Sequence, residues 1–296
     1  MSPALNNIIG FLQLERIEEN IFRGASQDLG TGQVFGGQVL GQALQAAKMT
    51  VADRPAHSVH AYFLRKGDVS APIIYEVDRS RDGRSFTARR VVAIQHGRPI
   101  FTLSASFQQP EEGLDFETRI AMPGLPAAKE KTPSDVEKAD NDADKSIDTA
   151  PALLGPTSFF EVRAVDPAEI QTPSCLQWWI KSKESLPDDV NFHRAVLAYL
   201  SDFGLLGSTL IPHGYPIARR KKSPAEKKSR ADMSIASIDH AIWFHRSFRA
   251  DRWLLYQCCA VSTSSARGLA HGSVYAENGT LVASTTQEGL IRKKTE

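Results

Sequence analysis

The stretch "ASIDHAIWFHR", residues 236–246, places a serine, an aspartate and two histidines within eleven positions. Ser237, Asp239, His240 and His245 could supply a Ser–His–Asp hydrolase site or a metal centre. Their spacing argues against both. Side chains alternate along a strand, so His240 and His245, five apart, point to opposite faces and cannot chelate one ion. His240 shares its face with Ile238, Ile242 and Phe244, the setting of a packed, hydrogen-bonded histidine. Asp239 lies on the same face as Ser237, as a candidate supporting partner. The chain has no Gly-x-Ser-x-Gly elbow and no Walker loop. The run "GTGQVFG" (30–36) has its third glycine one place late for a dinucleotide fingerprint.

The elements that would carry these residues come in two similar sets. In the first, "FRGASQDL" (22–29) reads weakly as a strand. A helix follows over 34–51, where Val39, Ala43, Ala46 and Ala47 recur at helical spacing. Gly36-Gly37 stands at its start, where glycine lets a ligand or another chain approach the free N–H groups. Strands "SVHAYFL", "PIIYEVDRS", "SFTARRVVAIQ" and "PIFTLSASFQ" come next, the last three joined at Asp82-Gly83 and His96-Gly97-Arg98. In the second set, "SFFEVRAV" and "SCLQWWIKS" precede a helix. That helix starts at Pro187-Asp188-Asp189 and runs to about Leu210, on the phase of Phe192, Val196, Tyr199, Leu200 and Phe203. Strands "SIDHAIWFH", "WLLYQCCAVS", "GLAHGSVYA" and "LVASTTQEGLI" complete it, with a turn at Glu277-Asn278-Gly279.

The two sets also match in letters. "VLGQAL" (39–44) parallels "LLGSTL" (205–210), a shift of 166 (205 − 39), and "HAYF" (60–63) parallels "HAIW" (240–243), a shift of 180 (240 − 60). "SFQ" ending at Gln108 parallels "TTQ" ending at Gln287. Ordered matches of this kind indicate an internal duplication. Between the units, eleven charged residues and no aromatic fall from Lys129 to Asp148, a composition that buries little surface. The division expected is an N-terminal unit over 1–115, a flexible charged linker over 116–157 and a C-terminal unit over 158–296. The second unit carries a basic insertion at 218–232 with seven Lys or Arg. That insertion reads as a loop, with a localisation signal or a nucleic-acid patch as the alternatives.

Bulk properties narrow the function classes. At 42% hydrophobic residues the 296-residue chain can bury a large core, and a net charge of +1 gives no global field toward nucleic acid or membrane. The longest uncharged run, between Asp28 and Lys48, holds four Gln and five Gly and is no membrane span. The early charges of the N-terminus do not fit a signal peptide, and the chain ends without Ser-Lys-Leu. A cytoplasmic location is therefore expected. Cys175, Cys258 and Cys259 lack a disulfide or zinc spacing and are expected as free thiols in a reducing compartment.

The chain closely resembles the acyl-CoA thioesterase II family, the double-hotdog thioesterases. The resemblance is carried by "FRGASQDLG", "QVFGGQVLGQAL", "HSVHAYFLRKGD", "DGRSFTARRVVAIQ", "SDFGLLGSTLIPHG", "SIDHAIWFHR", "SSARGLAHG" and "ASTTQEG", which cover most of the chain outside the linker and insertion. It implies an α+β fold of two tandem hotdog units, each a long helix wrapped by an antiparallel sheet. It implies hydrolysis of fatty acyl-CoA to free acid and CoA, in fatty-acid and lipid metabolism. No metal or other cofactor is implied, and a homo-oligomer (dimer or tetramer) is expected, with no nucleic-acid partner and no membrane span. The family's catalytic aspartate, hydroxyl and glutamine fall on Asp202 in "YLSDF", Ser237 in "ASIDH" and Gln287 in "STTQEG".

These types suit attack by water on a thioester. A carboxylate can take the water's proton, and a hydroxyl and an amide can orient it. Backbone N–H groups at a glycine-rich helix start could hold the oxyanion, a part assigned here to Gly36 and Gly37. By the letter matches Asp202 falls opposite Gly36, Ser237 opposite His57 and Gln287 opposite Gln108. His240 falls opposite His60, which suggests a shared structural role. One complete site per chain is expected, with the helix start of one unit facing the catalytic groups of the other. The alternatives are a hotdog hydratase or dehydratase, which needs a histidine beside the carboxylate, and a non-catalytic acyl-CoA binding protein.

Overall fold

Strict alternation of inward and outward residues shapes most of the chain. In the strand Phe86–Gln95 the side chains of Thr87, Arg89, Val91, Ala93 and Gln95 are buried and those between them are not. The computed structural model describes residues 7–127, 159–215 and 232–294. The first unit comprises α1 (Ile8–Leu12), β1 (Glu15–Glu18), β2 (Ile21–Gly24), α2 (Gly36–Lys48), β3 (Ala56–Phe63), β4 (Ile73–Asp82), β5 (Phe86–Gln95) and β6 (Arg98–Gln108). The second comprises β7 (Phe160–Ala164), β8 (Cys175–Ser182), α3 (Val190–Ser201), β9 (Met233–Ser237), β10 (Asp239–Phe244), β11 (Leu254–Ser264), β12 (Arg267–Ala276) and β13 (Leu281–Lys293). A 3-10 helix, Leu206–His213, follows α3. The fold is the double hotdog, α+β, that the resemblance implied, and its two units are the duplication that the repeats indicated.

All strands join one antiparallel sheet in the order β1-β2-β4-β5-β6-β3-β10-β13-β12-β11-β8-β7, with β9 added to β13. The order reads the same for both units outward from the β3–β10 seam. Across that seam Ala241 pairs with His60 and Ile242 with Val59. The sheet wraps α2 and α3, whose apolar faces make the shared core with Leu40, Ala43, Leu44, Ala195, Val196 and Tyr199. The Val190–His213 run is apolar and long enough to cross a membrane by composition, but most of it is buried in this core.

Backbone pairing corrects the register of the duplication. A bulge between Ala93 and Ile94 recurs between Val274 and Tyr275, a shift of 181 (274 − 93). The buried pair Ile100-Phe101 of β6 answers Val282-Ala283 of β13, a shift of 182 (282 − 100). The helices start 154 apart (190 − 36). The counterpart of Ser237 is therefore Ala56 (237 − 181), not His57. That of Gln287 is Ala105 (287 − 182), not Gln108. That of Asp202 is Lys48 (202 − 154), not Gly36. Pairing agrees: Ser237 faces Gly289 on β13, and Ala56 faces Phe107 on β6, which is 182 positions earlier (289 − 107). His60 is exposed and answers Ala241, whereas the buried His240 answers Val59. Letter matching slid by one residue at Ser237, three at Gln287 and twelve at Asp202, because short similar words tolerate slippage and the paired backbone does not.

Three other expectations change. The second helix ends at Ser201 rather than near Leu210, so Asp202 is its C-cap. Gly204 takes φ 70 there, and a Cβ on it would stand 2.5 Å from Trp178. Cys175 and Cys259 are not free thiols: they oppose each other on β8 and β11 and form a disulfide, leaving Cys258 free and buried. Strand pairing brought together cysteines 84 positions apart, which their sequence spacing could not reveal. Finally, residues 116–126, expected as the first part of the flexible linker over 116–157, are tied to the second unit. Glu117 accepts from Leu281 N, Gly124 O from Trp179, and Pro126 O from Arg163. The remainder of the linker to 157, and nearly all of the 218–232 insertion, lie outside the described residues.

The disulfide sets an expected thiol count. Titration with a thiol reagent in denaturant should find one reactive group per chain without reductant and three after reduction. Three in both conditions would contradict the pairing.

Candidate active site

The two helices run antiparallel and touch at their small residues. A Cβ on Gly37 would lie 2.3 Å from Tyr199 O, and one on Gly41 would lie 3.0 Å from Ala195 O. Only glycine permits this approach. It brings the start of α2 against the end of α3, so that a Cβ on Gly36 would sit 2.7 Å from Asp202 Oδ2. Phe35, the N-cap of α2, offers no capping side chain. The Asp202 carboxylate serves instead, accepting from Gly37 N–H. The negative group thus lies at the positive end of the opposite helix.

Two strands complete the cluster. Gln287 on β13 is fully buried; its Nε2 donates to Asp202 Oδ1 at 2.6 Å and to Ser237 Oγ at 3.0 Å. Ser237, the last residue of β9, lies 3.4 Å from Asp202 Oδ1 through its own hydroxyl. Gln287 Oε1 is buried with no hydrogen-bond partner among the described residues. A buried acceptor left so is costly unless a bound molecule donates to it. Asp202, Ser237 and Gln287 therefore converge, and Gly36-Gly37 meets them from the other unit.

Aromatic rings close the site. Phe35 stacks on Phe203 with centroids 4.2 Å apart and meets Tyr199 edge-on. Phe63 packs against Gly36 from β3. Burial among these groups raises the Asp202 pKa above the ordinary carboxylate range, opposed by hydrogen bonds from Gln287, Gly37 and Ser237. A carboxylate held this way is a stronger base than an exposed one.

The two histidines of "ASIDHAIWFHR" lie elsewhere. His240 is buried, and its Nε2 meets Ser201 Oγ at 2.8 Å. Burial lowers its pKa to about 3, so it stays neutral. His245 is exposed on the opposite face and meets Ser284. Neither touches Asp202, so the carboxylate lacks the histidine that a hydratase requires. Asp239 makes no hydrogen bond to Asp202, Ser237 or Gln287 among the described residues, but it accepts from Glu288 N at 2.7 Å and so braces β13 beside Gln287.

Sequence reasoning missed the support behind the aspartate. Tyr256 OH donates to Ser201 O at 2.8 Å and meets Thr285 Oγ1 at 2.9 Å. With His240 it fixes the last turn of α3 from three strands. The available signal was alternation: Thr285 and Gln287 share one face of β13, and both are inward.

Family models agree with this organisation. Residues 166–290 match the acyl-CoA thioesterase model, and residues 25–108 match the acyl-CoA thioesterase N-terminal domain. The chain is 42% identical over 306 aligned residues to acyl-CoA thioesterase 2 of Haemophilus influenzae, covering 99% of each. It is 34% identical to human acyl-coenzyme A thioesterase 8, covering 96% of this chain and 88% of that protein. Among solved structures, acyl-CoA thioesterase II TesB2 of Mycobacterium marinum superposes with a TM-score of 0.75 at 37% identity, covering 96% of this chain and 98% of the other.

The helix contact yields a direct test. Gly37→Ala should destabilise the fold by about 1–3 kcal/mol through overpacking, measured by denaturant unfolding, and should also lower activity. Gly113→Ala, where a Cβ meets nothing within 4 Å, should leave both unchanged.

Proposed function

This chain belongs to the acyl-CoA thioesterase family and cleaves acyl-CoA to a free acid and CoA, and on that premise we propose that Asp202, Ser237 and Gln287 carry the reaction through an activated water. The observation that supports this most is the partnerless Gln287 Oε1 beside a carboxylate of raised pKa. A water donating one hydrogen to Gln287 Oε1 and the other to Asp202 keeps a lone pair for the thioester carbonyl carbon. Ser237 fixes the amide and carboxylate in one orientation.

As the water oxygen bonds to the carbonyl carbon, Asp202 takes its proton. The carbonyl oxygen becomes an oxyanion. Gly37 N–H is engaged by Asp202, so in this reading Gly36 N–H, at the same positive helix end, stabilises that oxyanion. The tetrahedral species then reforms the C=O bond, the C–S bond breaks, and the thiolate of CoA leaves. Asp202 returns its proton to the sulfur. Ser237 makes no covalent bond.

Fatty acyl chains are the substrate class proposed, and a hydrolysis profile over short, medium and long acyl-CoAs with a thiol reagent measures it. A cytoplasmic location belongs to the same reading, since CoA thioesters are made and used inside cells. So does a homo-oligomer. Tyr62 and Trp243 are exposed together on the outer face of the β3–β10 seam, where a second copy would cover them. Light scattering should then give a multiple of the chain mass, and a monomer would refute it.

Asp202→Asn should lower kcat by ~10² or more while substrate binding persists. A base must be ionised, so wild-type kcat/KM should fall as pH drops through the Asp202 pKa. That limb should lie above the usual carboxylate range and vanish in the variant. A folded-state pKa raised above the unfolded one means the ionised group costs stability at neutral pH, regained as pH falls through it. Asp202→Asn should accordingly melt no lower than wild type. Undiminished turnover in Asp202→Asn would overturn the assignment.

A further inference from the structure

A cleft of about 890 Å³ opens at the far end of the helix pair from Asp202. It is bounded by Lys48 at the end of α2, Val190 and Asn191 at the start of α3, and Phe244 at the end of β10. By the shifts established above these answer Asp202, Gly36, Gly37 and Phe63. The cleft is thus the counterpart, in the other orientation of the duplicated fold, of the hydrolytic site. Its chemistry has been replaced. Ala56 and Ala105 stand for Ser237 and Gln287, and the carboxylate has become the ammonium of Lys48. None of the three side chains of the hydrolytic cluster has a like residue at its counterpart there.

What the cleft does hold is a buried cation. Arg194 lines it with 6% of its surface exposed. Its Nη1 donates to Ala56 O at 2.6 Å, and its guanidinium lies 5.5 Å from the Phe244 ring centre. It forms no ion pair among the described residues, and its Nε is buried without a hydrogen-bond partner. Burial lowers its pKa to about 10, so it remains charged at neutral pH. The potential reaches its neighbours: His57, in the same cleft, is held below the ordinary imidazole range by burial and then by the Arg194 charge.

The carboxylates around the cleft are exposed and several are engaged. Asp188 pairs with Arg249, and Asp189 pairs with Lys48 at 3.4 Å while capping α3. Asp53 and Glu111 stand exposed at its edge. None neutralises Arg194. A buried guanidinium with open donors is costly until an anion meets it, and guanidinium geometry fits phosphate and carboxylate equally.

We propose that this cleft is a second, non-hydrolytic site that binds an anionic group, phosphate or carboxylate, of the substrate or its products, with Arg194 as the central donor. It rests on the reading of Asp202 as the hydrolytic base only for its description as second.

Calorimetric titration of the full chain with CoA, and separately with octanoate, tests it. At least one probe should bind at two equivalents per chain, falling to one in Lys48→Glu and in Arg194→Met, while Lys48→Glu keeps wild-type kcat within twofold. CoA alone in this pattern assigns the phosphates as the source, and octanoate alone the carboxylate. A single equivalent of both probes in wild type, or two equivalents retained in Lys48→Glu, overturns the proposal. Lys48 is half-exposed, so Lys48→Glu decides even where Arg194→Met fails to fold. Asp202→Asn kinetics address only the first site, so the two readings fail separately.

Discussion

The close antiparallel contact of α2 and α3 governs the rest of this structure. Where Gly37 lies against Tyr199 and Gly41 against Ala195, two backbones approach as only glycine allows. One contact solves two problems. The start of α2 lacks a capping side chain, and the end of α3 carries a carboxylate that its own helix dipole disfavours. Bringing the two together lets each satisfy the other. The aromatic rings of Phe35, Tyr199 and Phe203 pack around the junction, and burial there holds the Asp202 pKa above the ordinary carboxylate range.

The duplicated fold makes this junction twice, once at each end of the helix pair, and the two ends have diverged. One end presents Asp202, Ser237 and Gln287 to a glycine helix start. The other presents Lys48, two alanines and Arg194 to a helix start that Asp189 already caps. The scaffold that positions them is the same: ladders with bulges at matching places and a palindromic strand order. Fold supplied the position, and side chains at a few points decided the chemistry.

Much of this was legible in advance, for a definite reason. Strand alternation and helical phase are local, so the elements and the two-unit order could be read directly. Asp202, Ser237 and Gln287 were legible through resemblance rather than spacing, because they lie on three elements and share no local pattern. The repeat register was misread for a related reason. A short word such as "HAYF" matches "HAIW" whichever way each strand faces, and facing is what separates buried His240 from exposed His60.

By itself the sequence determined the order of elements and the duplication, since periodicity is a property of neighbouring residues, and through resemblance it pointed to the fold class and to Asp202, Ser237 and Gln287. The tertiary structure alone decided which of those residues meet. It ended α3 at Ser201 and left Asp202 as a cap, joined Cys175 to Cys259 across two strands, and set Lys48 in the place that answers Asp202. Those outcomes depend on backbone register and on how closely two helices can pass, and both are fixed only when distant segments come into contact.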